Sequence, residues 1–95
     1  MKSIIQEEKQ CYICETTYNL ECHHCIHGTA NRKLAEKDGL KVWLCTAHHR
    51  GDFGVHGKFG HMLDLKLEQT AELVWMTYYG KTEEQFIKKY GRSYI

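Results

Sequence analysis

The sequence predicts a small α+β domain, in which a Cys- and His-rich core over residues 9–61 is followed by a helical scaffold over residues 62–95. Three observations carry this. Two ligand-type pairs, Cys11-x-x-Cys14 and Cys45-x-x-His48, bracket the first region; all 7 His and 5 Cys lie at or before His61; and the remainder shows apolar residues at helical spacing. A chain of 95 residues makes one domain with a modest core, and a structural metal would help to hold it.

Each element follows in order. Cys11-Tyr12-Ile13-Cys14 has the form of a knuckle, a tight turn that brings two thiolates onto one ion. Asn19 to His24 reads as a short extended segment. From Thr29 to Asp38, Ala30, Leu34 and Ala35 among charged residues have helical spacing, and Gly39 is placed to stop that helix. Leu40-Lys41-Val42-Trp43-Leu44-Cys45 starts by alternating apolar with polar and predicts a strand that delivers Cys45 to the knuckle. A glycine-rich loop follows, with Gly51, Gly54, Gly57 and Gly60 among the histidines. Met62, Leu63, Leu65, Leu67, Ala71, Val74, Trp75 and Tyr78 predict a long amphipathic helix over 61–79 ended by Gly80, its Met and aromatic residues in the core. Thr82-Glu83-Glu84-Gln85 fits a capping box, and Phe86, Ile87 and Tyr90 give a short last helix its apolar face.

Cys11, Cys14, Cys45 and His48 together make the Cys3His set of a closed structural zinc site. Two correctly spaced pairs are a stronger signal than either alone, and free buried thiols beside a surface histidine are the weaker explanation. Zinc in such a site supplies roughly 10 to 16 kcal/mol to folding at neutral pH. The second constellation is His23-His24. Neighbours on a strand point to opposite faces, so one imidazole binds a metal while the other reaches a separate point, provided that the segment bends near a turn. Cys22-x-x-Cys25 offers a competing arrangement, a second closed zinc with His23 or His24 and no catalysis. If His48 completes the structural zinc, His49 is freed for a nearby site, with His56 seven residues on. Two or three imidazoles there would leave the open positions that a catalytic metal needs. His27 and His61 are expected to be exposed or at the edge of the core.

Composition excludes several classes. No apolar run is long enough for a membrane span, and charge enters the N-terminus before a signal-peptide core forms, so the cytosol is the expected compartment, with no membrane partner. An odd cysteine count in a reducing compartment favours metal ligation over disulfides. A redox role for Cys22-x-x-Cys25 lacks the βαβ context of thioredoxin-like proteins. The net charge of +1 is not that of a strong nonspecific nucleic-acid binder, although basic residues cluster at Arg32-Lys33 and at Lys88, Lys89 and Arg92.

The order Cys-x-x-Cys, His-His, Leu-Cys-x-x-His-His resembles the HNH endonucleases, specifically the zinc-supported kind with a ββα-metal motif between the halves of a knuckle. The stretch His23-His24-x-x-His27-Gly28-x-x-Asn31-Arg32, with Leu40 to His49 and Val55-His56, is similar to small phage and prophage proteins of that superfamily, and the similarity extends to Phe86-Ile87-x-x-Tyr90-Gly91. The resemblance implies a ββα-metal core and hydrolysis of DNA phosphodiester bonds with one divalent ion (Mg2+, Mn2+, Ni2+ or Zn2+) besides the structural zinc. It makes His24 the general base that activates water, since an imidazole is partly neutral at physiological pH. It makes His23 a ligand of the catalytic ion, with His49 or His56 the ligand from the helix side. Many family members carry Asn where this chain has Leu40, so Asn31 is given the task of orienting His24, while Arg32 and Lys33 would contact phosphates. A partner protein that places so small and neutral a nuclease on DNA is compatible with this, and the oligomeric state stays open. The alternative is a non-catalytic, zinc-stabilised module that binds nucleic acid or protein.

Overall fold

The computed structural model describes residues 1–95. Strand β1 (Leu20–His24) pairs antiparallel with β2 (Lys41–Cys45), and helix α1 (Thr29–Asp38) fills the connection between them. Helix α2 (Thr46–Arg50) follows β2 directly, and α3 (His61–Tyr79) and α4 (Glu83–Tyr90) complete the chain. The protein is therefore an α+β fold with a two-stranded antiparallel sheet and four helices. No helix is long and apolar enough to cross a membrane.

Boundaries follow local chemistry. Helix α1 stops where Gly39 takes a left-handed φ of 80° and donates its amide to the Ala35 carbonyl. The capping box of α4 is formed in both directions, Gln85 N–H to Thr82 Oγ1 and Thr82 N–H to Gln85 Oε1. Only part of the expected stripe of α3 is buried. Leu67, Ala71 and Trp75, four residues apart on one face, enter the core, whereas Met62 and Tyr78 lie off that face and are 73% and 59% exposed.

One apolar cluster joins the two regions of the chain, taking Ile26, Leu40 and Leu44 from around the sheet and Leu67, Trp75, Phe86 and Tyr90 from the helices. Phe86 and Tyr90 stack with ring centroids 4.7 Å apart, and Trp75 meets Phe86 edge-on at 5.4 Å. Beneath these rings Asp38, at the end of α1, accepts from Trp75 Nε1 (2.9 Å), Tyr90 Oη (2.6 Å) and Lys89 Nζ (2.8 Å). Burial pushes the Asp38 carboxyl up, but the bonds from Lys89, Tyr90 and Trp75 outweigh it and hold the pKa below its ordinary 3.8.

Asp38→Ala is accordingly expected to destabilise the fold by about 2 to 4 kcal/mol, because it strands two buried donors, and denaturant unfolding measures this. A depressed folded pKa means that the stabilisation from Asp38 is fully present above pH 3.8 and is lost as pH falls through the folded value. Wild type and variant should therefore converge in stability on acidification.

Candidate metal centres and adjoining cleft

The knuckle forms first from backbone geometry. The amide of Cys11 donates to Thr16 O (2.8 Å) and that of Glu15 to Cys11 O (2.9 Å), while Tyr12 N–H reaches Trp43 O (2.8 Å) and ties the turn to β2. Cys45 ends β2 and precedes α2, so His48 faces it one helical turn later. The distances are 3.2 Å from Cys45 Sγ to His48 Nδ1, 3.7 Å from Cys11 Sγ to His48 Nδ1 and 3.9 Å from Cys14 Sγ to Cys45 Sγ. A tetrahedral zinc with bonds of about 2.3 Å to sulfur and about 2.05 Å to nitrogen places ligand atoms about 3.6 to 3.8 Å apart. Cys11, Cys14, Cys45 and His48 thus lie close enough to hold a metal ion, and their spacing fits zinc. Burial pushes the Cys11 thiol up, yet backbone amides of Cys14, Cys45 and Ile13 outweigh it and bring its pKa down to about 6, which favours the thiolate that binds metal.

A second set of donors assembles on the other side of β1. His23, His49 and His56 bring one ring nitrogen each to within 4.8 Å of one another. Their ring centroids are 5.2 Å (His23 to His49), 5.2 Å (His23 to His56) and 4.8 Å (His49 to His56) apart. Both His49 and His56, between which the sequence leaves the choice of ligand open, belong to this group. The loop returns His56 through Val55 N–H to His48 O (2.9 Å) and His56 N–H to His49 O (3.0 Å). It can do so because Gly57 and Gly60 press against backbone: a Cβ there would stand 1.9 Å from Gly51 O and 1.6 Å from Gly54 O, respectively.

His23 is 2% exposed, and its Nε2 has no hydrogen-bond partner. Burial, reinforced by the neighbouring imidazoles, lowers its pKa to about 3, so the ring is neutral and offers a lone pair. A buried, unpartnered nitrogen facing other imidazoles is costly unless something binds it, and a borderline divalent cation suits this donor set. The same strand supplies a support that sequence reasoning missed. Glu21 lies two residues before His23, hence on the same strand face, and its Oε1 is 2.7 Å from His49 Nδ1. Bonds from His49 and then Arg50 keep Glu21 ionised below the usual carboxylate range. Such a contact fixes His49 as the Nδ1–H tautomer and leaves Nε2 for metal.

His24, on the opposite face of β1, is absent from the imidazole triad. Its Nε2 lies 2.8 Å from Glu36 Oε1, and Lys41, its cross-strand partner, binds Glu36 Oε2 at 2.6 Å. Lys41 first, then His24, lower the Glu36 pKa to about 2. Because β1 ends at His24, both rings of the pair line one cavity of about 1140 Å³, together with His49, His56, Arg32, Lys33 and Lys37.

Two expectations change. Asn31 does not orient His24: its amide donates to Tyr90 O at 3.0 Å, tying α1 to the end of α4, and Glu36 contacts His24 instead. Among the other basic residues, Lys89 is engaged by Asp38 and Arg92 lies over the Tyr94 ring at 4.8 Å, so Arg32 and Lys33 are the cluster that faces the cleft. Cys22 and Cys25 join no donor group. They sit on different surroundings, Cys22 exposed and Cys25 fully buried in the core, where burial pushes its thiol up. A second closed zinc built from that pair therefore has no support in the geometry. His27, expected to be exposed or at the edge of the core, is 40% exposed as a side chain, and it also packs 5.7 Å from His23 and bonds Asp64.

No family model, curated protein or solved structure matches the chain. The residues of the two candidate metal centres and of the cleft are therefore what bears on function.

Proposed function

We propose that this protein is an HNH-type, metal-dependent DNA endonuclease, stapled by zinc at Cys11, Cys14, Cys45 and His48. The reading is carried by one observation: the triad His23, His49 and His56 converges around a buried, unpartnered nitrogen, while the adjacent His24 stays outside it and lines the same cavity. The order of β1, β2 and α2, with a donor on β1 and another on α2, supports a ββα-metal core with α1 as an insertion.

A divalent ion bound by the triad would supply Lewis-acid stabilisation of charge on the phosphate and the leaving 3′-oxygen. The chain does the rest. Glu36, held ionised, accepts from His24 Nε2–H and so leaves the lone pair on Nδ1, which takes the proton of the attacking water. Arg32 and Lys33, both exposed on α1 at the cavity wall, hold flanking phosphates without reading sequence. DNA is the partner that this charge placement fits, despite the net charge of +1.

Imidazole donors suit Mn2+, Ni2+, Co2+ or Zn2+ better than Mg2+. Zinc-loaded protein incubated with supercoiled plasmid should therefore nick it faster with Mn2+ or Ni2+ than with Mg2+, as resolved by gel electrophoresis. Absence of nicking with every ion, on plasmid and on single-stranded DNA alike, would return the chain to a zinc-stabilised binding module.

A further inference from the structure

The helical region, read from sequence as scaffold, contributes a carboxylate to the imidazole cluster. Asp64, in the first turn of α3, places Oδ1 2.7 Å from His27 Nε2. His23, His27 and Asp64 each bring one donor atom to within 4.8 Å of the others, as the triad of the proposed catalytic ion does. Four imidazoles are thus packed together, His27 standing 5.7 Å by ring centroid from both His23 and His56. Neither Glu21 nor Glu36, the carboxylates already accounted for, belongs to this second group.

We infer that His23, His27 and Asp64 form a second divalent-cation position, side by side with the His23, His49, His56 position and sharing His23 with it. The independent sign of a ligand is the His23 Nε2 nitrogen, buried in a residue only 2% exposed and without any hydrogen-bond partner. The donor set is two imidazoles and one carboxylate, which suits Zn2+, Mn2+, Co2+ or Fe2+ and leaves coordination positions open. The hydrogen bond between His27 and Asp64 shows that these two groups already converge, and an ion entering there exchanges for the proton they share. One His23 lone pair serves one ion, so the two positions are alternatives, and a single labile ion can occupy either. His23 is buried, while His27 is 40% and Asp64 21% exposed as side chains, so this position opens to solvent on its His27 side.

The inference rests on His23 being a metal ligand in the proposed function, and metal binding tests it without any need for cleavage. Zinc-loaded protein is titrated with Co2+, followed by visible d–d absorption, with thiolate-to-cobalt charge transfer monitored to exclude exchange into the Cys3His site. Wild type should take up one Co2+. His56→Ala, which breaks the first triad alone, should still bind Co2+ with an altered spectrum. Adding Asp64→Asn, close in shape to the original, should weaken that binding at least about tenfold, and His27→Gln should do the same. If both additions leave the Co2+ affinity and spectrum of His56→Ala unchanged, or if His56→Ala alone abolishes uptake, the second position is overturned while the first survives. A wild type that takes up no Co2+ overturns both.

Discussion

Cys45→Ser, or removal of metal from the wild type by a strong chelator, is expected to unfold this protein. A structural zinc contributes roughly 10 to 16 kcal/mol at neutral pH, whereas a domain of this size has a net stability of about 5 to 15 kcal/mol. Cys45 is the sharpest place to break the proposed site, because it is at once the last residue of β2, the residue before α2 and a donor whose Sγ lies 3.2 Å from His48 Nδ1. Loss of its sulfur therefore loosens the strand that pairs with β1 and the helix that carries His49. Far-ultraviolet circular dichroism and thermal unfolding should show no cooperative transition after chelation, and added Zn2+ should restore it. An unchanged melting temperature after metal removal would contradict the stapling role.

His24→Ala is expected to lower the rate of DNA cleavage by about 10² to 10⁴-fold while leaving metal binding as it is in wild type. The expectation follows from the position of the ring: it lines the cleft with the imidazole triad yet contacts Glu36 rather than the triad's donors. His23→Ala should differ in kind, losing the labile ion and activity together, since His23 belongs to the triad. Comparing cleavage with Mn2+ binding in the two variants separates a proton acceptor from a ligand. Equal cleavage by wild type and His24→Ala would remove His24 from the mechanism.

Much of this arrangement is legible in the sequence because it depends on short-range chemistry. Spacing of two residues within Cys11-x-x-Cys14 and Cys45-x-x-His48 encodes a knuckle almost directly, and the four donors do converge. Periodicity with terminal glycines marked α1 and α3, and Thr82 with Gln85 marked the start of α4. What sequence reasoning missed are the carboxylates. Glu21 and Glu36 look like solvated charges on a strand and a helix, and their roles arise only when β1 lies beside α2 and α1. Period-two alternation did offer a signal for Glu21, since it shares a strand face with His23. Asp64 meets His27 across 37 residues, a pairing that tertiary packing alone creates. Asn31 fails as an orienting residue for the same reason, its amide being drawn to the Tyr90 carbonyl by the docking of α4.

The central claim is that a labile ion sits on His23 while His24 stays free beside it. Anomalous diffraction from crystals of the zinc-loaded protein soaked in Mn2+, with data at both metal edges, tests this most directly. The account requires zinc density among Cys11, Cys14, Cys45 and His48, manganese density bonded to His23, and His24 bonded to neither. Density joining His24 to either ion, or no manganese at His23, would contradict it.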